Sequence, residues 1–222
     1  MQKLIRPHGL TTDVVIFTIE DGLLKTLLIK RVGEPFNGEW ALPGGFLFDD
    51  EGSQDAASRI LKNKAGVKNI YLEQLYTFDD NKRDPRGHVC TVAYFALVPR
   101  QEINFESEKN IQTPALHPVK NLPHLAFDHK KIVDYATKRL RSKIEYTNAV
   151  HALLPPLFTF KELQTTYETI FNKKMDKRNF QKKFSMLKII KPANKTLKGT
   201  RQRPAQLYQF VSRKPAELKK FF

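Results

Sequence analysis

Apolar residues fall into short stretches along the first 150 positions, and their spacing predicts a mixed α/β arrangement. Residues 13–19 are rich in Val, Ile, Phe and Thr, Asp21-Gly22 supplies a tight turn, and residues 23–29 resume the same pattern. The two stretches predict a β-hairpin, with Lys30 and Arg31 at its end. A turn-rich loop over 34–40 ends at Trp40 and leads to Pro43-Gly44-Gly45. Residues 50–64 change to a helical period, with Ala56, Ile60 and Leu61 on one face, and Gly66 is placed to end that helix in a left-handed conformation. Stretches 71–78 and 89–98 predict two more strands around the polar loop 79–88. A second helix is expected over 130–143, with Asp128 capping its free N–H groups.

The last third has a different rhythm. A short helical run over 149–154 is stopped by Pro155-Pro156, because proline lacks an N–H and restricts its predecessor. Thr159 with Glu162 three positions later forms a capping-box pattern ahead of a helix over 160–171, whose Leu163, Tyr167 and Ile170 share one side. Asp176 caps the next helix, which runs to Leu187 with Phe180, Phe184 and Leu187 facing inward. Its other side presents Lys177, Arg178, Asn179, Gln181, Lys182 and Ser185. An apolar stripe fixes a helix in place, and a basic, amide-bearing face suits the major groove of DNA. A strand over 188–191, a polar hairpin over 192–203 and a returning strand over 205–211 predict a wing. Lys195, Lys198, Arg201 and Arg203 would there approach phosphates or the minor groove, and Gly199 frees the tip.

Charge sharpens this division. Of the formal +15 carried by 222 residues, residues 151–222 supply +13 from 17 basic and 4 acidic side chains. Residues 1–150 hold 21 basic and 19 acidic side chains, a net of only +2. A concentrated cationic field attracts polyanions, and a solvated basic surface would have the same composition. The hydrophobic fraction of 41% is enough for a packed core and excludes a disordered chain. No apolar run approaches a membrane span, and residues 1–7 hold no signal-peptide pattern. The single cysteine, Cys90, lies in an apolar run and is expected to be a small buried residue. A reducing, cytoplasmic setting is expected.

The segment from Gly45 to Val67 resembles the signature of the Nudix family, a loop–helix–loop built on Gly, Glu, Arg and a closing Gly-aliphatic pair. Gly45, Glu51, Arg59, Leu61, Gly66 and Val67 fall at the required spacing. In active Nudix hydrolases the glutamates beside the arginine help to hold divalent metal on one helix face. Those three positions are Ile60, Asn63 and Lys64 in this chain, which offer no carboxylate and add a positive charge. Glu51 and Arg59 are read as a loop-to-helix ion pair, with two independent surface charges as the other reading. The resemblance therefore implies a Nudix-like fold with a degenerate box, no catalytic residues and no metal.

A ligand pocket can outlive its catalyst. Lys30, Arg31, Trp40, Arg83, Arg86 and His88 are the candidate contacts: guanidinium forks suit phosphate or carboxylate, and an indole can stack on a flat ring. Core packing of Trp40 and a local Arg83–Asp84 pair are the competing uses. Leu75-Tyr76-Thr77-Phe78, the 83–87 loop, Phe158–Gln164, Asp176–Phe180 and Arg203–Tyr208 extend the likeness over most of residues 10–211. They resemble Nudix-related transcriptional regulators, which join a Nudix-like sensor to a winged helix-turn-helix. That family includes repressors of NAD metabolism answering to ADP-ribose-type ligands, and relatives that bind a pentose. The expected plan is an α/β Nudix-like sensor over 1–127, a linker helix over 128–145 and an α+β winged helix-turn-helix over 146–222. A homodimer on a palindromic duplex, repressing until a small effector binds and needing no cofactor, is the expected function. Hydrolysis of a nucleoside diphosphate derivative such as ADP-ribose, through Glu51 and an acid outside the box, is the alternative.

Overall fold

The computed structural model describes residues 8–68, 70–104, 114–197 and 204–218. Contacts divide the chain into two compact units. The first extends to Thr137, and the second takes Lys138 onward together with the short pieces Thr18–Leu24 and Val98–Arg100.

The first unit is built on strands β1 (Gly9–Glu20), β2 (Leu23–Lys30), β3 (Trp40–Ala41) and β4 (Gly44–Phe46), helix α1 (Ser53–Ala65), and strands β5 (Tyr71–Phe78), β6 (Val89–Leu97) and β7 (Pro114–Pro118). Helix α2 (His129–Tyr146) follows and continues past Thr137 into the second unit. The strands form a mixed sheet in the order β3-β2-β1-β6-β5, with β4 added to β1 and β7 to β2. β1 runs parallel to β6. Successive side chains of β1 point to opposite faces of the sheet, and Val14, Val15, Ile16 and Phe17 are all fully buried, so both faces are covered there. Ala56, Ile60 and Leu61 pack α1 inward as their spacing predicts.

The predicted first helix loses its opening turn. α1 begins at Ser53 because Gly52 holds extended backbone as N-cap and donates its N–H to Asp55 at 3.2 Å. Gly66 closes it at φ 68°, the left-handed conformation expected there. β4 lies so close to β1 that a Cβ on Gly44 would stand 2.0 Å from Asp13 Oδ1, which only glycine avoids. Asp128 departs from its expected role. Its carboxylate accepts from Arg83, at 2.8 Å from Nη2, and so serves the loop rather than capping α2. Cys90 is half-buried rather than enclosed.

The second unit opens on a 3₁₀ turn over Ala149–Leu153, then β8 (Phe158–Thr159), α3 (Phe160–Phe171), α4 (Lys177–Leu187), β9 (Ile190–Leu197) and β10 (Ala205–Phe210). Arg213 donates to the carbonyls of His151 at 2.7 Å and Leu154 at 2.9 Å, holding the turn ahead of the two prolines. Thr159 and Glu162 form the expected reciprocal cap, with Glu162 N–H donating to Thr159 Oγ1 at 3.1 Å and Thr159 N–H to Glu162 at 2.6 Å. Thr159→Ala is expected to cost about 1 kcal/mol of stability in urea unfolding. Asp176 likewise caps α4 by accepting from Asn179 N–H at 2.8 Å.

Phe158, Tyr167, Phe180 and Phe184 are fully buried beneath the two helices. Rings of Phe180 and Phe184 lie 4.7 Å apart and Tyr167 meets both edge-on at 5.5 and 5.4 Å, favourable aromatic geometry. Three strands complete the unit in the order β8-β10-β9. The polar hairpin expected from residue 192 starts later than its composition suggested. β9 runs through Pro192 to Leu197, because an edge strand accommodates a residue that cannot donate to the ladder.

A cationic cleft and an exposed basic helix

A cleft of about 460 Å³ opens in the first unit. Its walls come from β1, the end of β2, the β3–β4 loop, the C-terminal turn of α1, the 83–86 loop and the approach to α2. Four cationic side chains, Arg31, Lys64, Arg83 and Arg86, line it against two acidic ones, Asp13 and Asp84.

Both acids are already engaged. Asp84 receives Arg86 through Nε at 3.0 Å and Nη2 at 2.6 Å, a bidentate fork that holds its carboxyl below the ordinary range despite burial. Asp13 faces Arg83 Nη2 at 3.4 Å and His129 Nε2 at 3.6 Å. His129 accepts the Leu42 N–H on Nδ1 at 2.9 Å, so its neutral tautomer carries the proton on Nε2. Burial lowers the pKa of His129, with Asp13 opposing. Arg83 is 3% exposed at its side chain and is committed to Asp128 and Asp13. It braces the cleft from behind.

Arg31 and Arg86 form the working face. The Arg31 guanidinium lies 4.8 Å from the Phe127 ring centre and the Arg86 guanidinium 5.8 Å from it. Arg86 also lies 5.2 Å from the ring of Phe46. Phe127 holds φ 56°, which costs a non-glycine residue about 1–3 kcal/mol and is common where a side chain is set for a ligand. Burial and the nearby Arg86 charge both lower the pKa of Arg31.

The expected contacts divide accordingly. Arg31, Arg83 and Arg86 are brought to the cleft, whereas Lys30, Trp40 and His88 lie outside it. Strand alternation explains the first two: Ile29 and Arg31 line the cleft, while Lys30 pairs with Trp40 in register on the other face. There Lys30 Nζ lies 5.4 Å from the indole centre, and the indole meets His117 edge-on at 4.5 Å. His88 instead meets the ring of His8 at a tilt, with the ring centres 4.2 Å apart. Phe127, Phe46, Asp13 and His129 escaped the sequence reading, since each acts through contacts between distant segments, and Asp84 forms its local fork with Arg86 rather than with Arg83.

The degenerate box has a clear geometry. Arg59 Nε donates to Glu51 at 2.9 Å and its Nη2 also pairs with that carboxylate. Glu51 further accepts the Phe48 N–H at 2.9 Å. Hydrogen bonding from Arg59 holds the Glu51 pKa below its ordinary value. Ile60 is 4% exposed in the core and Asn63 points to solvent. Lys64 lines the cleft. Among the described residues no group of three His, Cys, Asp or Glu converges as metal ligands. This donor set does not fit a divalent ion, and the arrangement supports binding of an anion by cations and backbone.

In the second unit, Lys177, Arg178, Asn179, Gln181 and Lys182 are all exposed on α4, with Arg178 and Lys182 on the side away from the buried Phe180 and Phe184. Lys195 is exposed on β9, while Lys198, Arg201 and Arg203 lie outside the described residues. A helix held by its aromatic side with cations and amides outward, followed by a β-hairpin, is the geometry of a winged helix.

The histidines give the fold a pH signature. Burial lowers the pKa of His129 and His151 below the ordinary 6.5. The unfolded chain therefore binds more protons below that value, so stability is fully present above pH 6.5 and falls on acidification. Glu51, Asp84 and Glu168 are all held below their usual values and add little in this window. The urea midpoint is expected to drop from pH 7.5 to pH 5.5, and a rise would contradict the assignment.

A Nudix-like sheet and box joined to a winged helix defines a class of two-part regulators. Residues 7–136 match the NUDIX domain family, and residues 150–210 match the NrtR DNA-binding winged helix domain. The chain is 37% identical over 215 residues to the ADPR responsive transcriptional repressor NtrR of Acinetobacter baylyi, covering 95% of this chain and 85% of that protein. It belongs to the NrtR family. The crystal structure of Shewanella oneidensis NrtR complexed with a 27mer DNA is similar at TM-score 0.81 and 34% identity, covering 90% of this chain and 93% of that one. The NUDIX domain of the same Shewanella protein complexed with ADP ribose is similar at TM-score 0.55 and 38% identity, covering 61% and 90%.

Proposed function

We propose that the protein is a transcriptional repressor whose first unit binds an ADP-ribose-like diphosphate and whose second unit reads a palindromic duplex as a homodimer. The observation that carries this reading is the cleft. It has four cations, no carboxylate at the three box positions, and lies in one chain with an exposed basic helix. Two acids meet the four cations of the cleft, which leaves its lining formally positive, and a diphosphate matches that sign where a neutral pentose does not. The Acinetobacter relative is ADPR responsive and the Shewanella NUDIX domain is complexed with ADP ribose, ligands of the same chemistry. Glu51, engaged by Arg59 and Phe48, gives no support to hydrolysis.

The working division is a sensor over 1–127, a connecting helix over 128–145 and a reading head over 146–222, in a soluble cytoplasmic protein. Phe127 lies in the cleft, Asp128 is held by Arg83, and α2 begins at the next residue. A ligand that prefers one setting of Phe127 and Arg86 thereby biases the start of α2, and with it the two reading heads. Regulation requires only that the ligand bind the DNA-competent and incompetent states unequally.

Selection of bound duplexes from a random pool, repeated with ADP-ribose, ribose, arabinose and NAD, tests both halves. A palindrome enriched in buffer and lost with ADP-ribose alone is the expected result. Enrichment of unrelated duplexes, or a response to the sugars only, would overturn the reading.

A further inference from the structure

Lys64 occupies the last of the three box positions that carry metal-holding glutamates in the hydrolases. It also lines the cleft together with Arg31 and Arg86. α1 thus presents to the cavity, from its C-terminal turn, a cation where the fold family places an anion. In the hydrolases a divalent ion supplies the positive charge next to the diphosphate. Here that charge belongs to the chain itself.

We infer that Lys64 takes the place of the family's metal, so that this cleft grips a diphosphate without any divalent cation. The inference rests on the cleft being the effector site proposed above, and it adds the chemistry of the grip. Three further observations converge on it. Asp13 and Asp84 are taken by Arg83, His129 and Arg86, so neither is placed to recruit a metal with Glu51. The box carboxylate that survives, Glu51, is held in the loop by Arg59 and Phe48. Arg31 and Arg86 approach one aromatic ring from a shared cavity, and although Asp84 pairs with Arg86, the Arg86 charge still acts against that of Arg31, a repulsion that a bound anion eases.

A lysine in the metal's position has a consequence beyond affinity. A divalent ion polarises a phosphorus centre and activates water, whereas an ammonium group binds phosphate as a point charge and donates hydrogen bonds. Such a cleft holds the diphosphate and leaves it intact. A sensor requires this, since a ligand cleaved on binding would report only its own turnover.

Calorimetric titration of the full chain with ADP-ribose and, separately, inorganic pyrophosphate tests the inference, each in EDTA and in excess Mg²⁺. Wild-type affinity for pyrophosphate in EDTA should stay within about twofold of that corrected for Mg²⁺–ligand complexes. K64Q should weaken it by at least about tenfold. K64E should lose binding in EDTA and recover part of it with Mg²⁺, and a thermal melt of K64Q confirms that the variant is folded. Pyrophosphate binding by wild type only with Mg²⁺, or unchanged binding by folded K64Q, would overturn the role of Lys64. Metal-free pyrophosphate binding without any ADP-ribose binding would keep that role and instead refute the effector reading.

Discussion

Replacing Arg83 by alanine is expected to lower the stability of the protein by about 3–5 kcal/mol, because the change leaves two carboxylates buried without their partner. Asp13 and Asp128 are 8% and 9% exposed at their side chains, and both meet the Arg83 guanidinium. Removing the cation does not simply subtract an attraction. It strands two negative charges that are about nine-tenths buried. Denaturant unfolding reads the loss directly, and adding Asp128→Asn to Arg83→Ala should recover part of it. Arg86→Ala provides the contrast: that side chain is 42% exposed but its partner Asp84 is only 3% exposed, so some stability should be lost, less than for Arg83→Ala, while effector binding is lost. A loss of under 1 kcal/mol for Arg83→Ala would show that the cleft is not braced in this way.

Lys182→Glu is expected to give the largest effect on DNA. The residue is exposed on α4, six residues beyond the cap at Asp176 and on the side away from Phe180 and Phe184. A charge-assisted contact is worth about 1.5–3 kcal/mol, and reversal also adds repulsion. With two reading heads on one duplex, the dissociation constant should rise by roughly 10²–10⁴, and the dependence of log K on log salt should become shallower. Lys195→Ala, on the wing strand, should weaken binding less and nearly equally for all sequences. Fluorescence anisotropy across a salt series separates these outcomes. An unchanged constant and slope for Lys182→Glu would remove α4 from the DNA face.

The parts of the molecule legible in the sequence are those set by local chemistry. Thr159 with Glu162, Asp176 with Asn179 and the left-handed Gly66 are decided within a few residues, so α3 and α4 appear as read and α1 differs at its start. The alternating runs that became β5 and β6 are similarly local. The short strands β3, β4 and β7 carry too few residues to show a period and exist through pairing with β1 and β2. The cleft was half legible for the same reason. Arg31, Arg83 and Arg86 were visible as guanidinium groups near turns. That Lys30 and Trp40 face away follows from the phase of β2, which a hairpin's composition does not fix.

Asp128 shows how a tertiary contact overrides a local preference. Its place before α2 suggested a cap, yet the Arg83 fork from 45 residues upstream claims both oxygens. Phe127 gives no sign in the sequence of its left-handed backbone, since nothing local favours φ 56° in a phenylalanine. Lys64 is the reverse case. The sequence showed what the box had lost, and only the lining of the cleft shows what the replacement contributes.

The central claim is a thermodynamic link between the cleft and the reading heads, and the most direct measurement is the coupling between their ligands. ADP-ribose affinity should be measured with and without a saturating palindromic duplex recovered by selection, and duplex affinity with and without saturating ADP-ribose. The account predicts that each ligand weakens the other by the same factor, about 5–150-fold, and that Arg86→Ala leaves duplex affinity intact while removing the response to ADP-ribose. Affinities that are independent of one another, with both ligands bound to the wild-type protein, would contradict it.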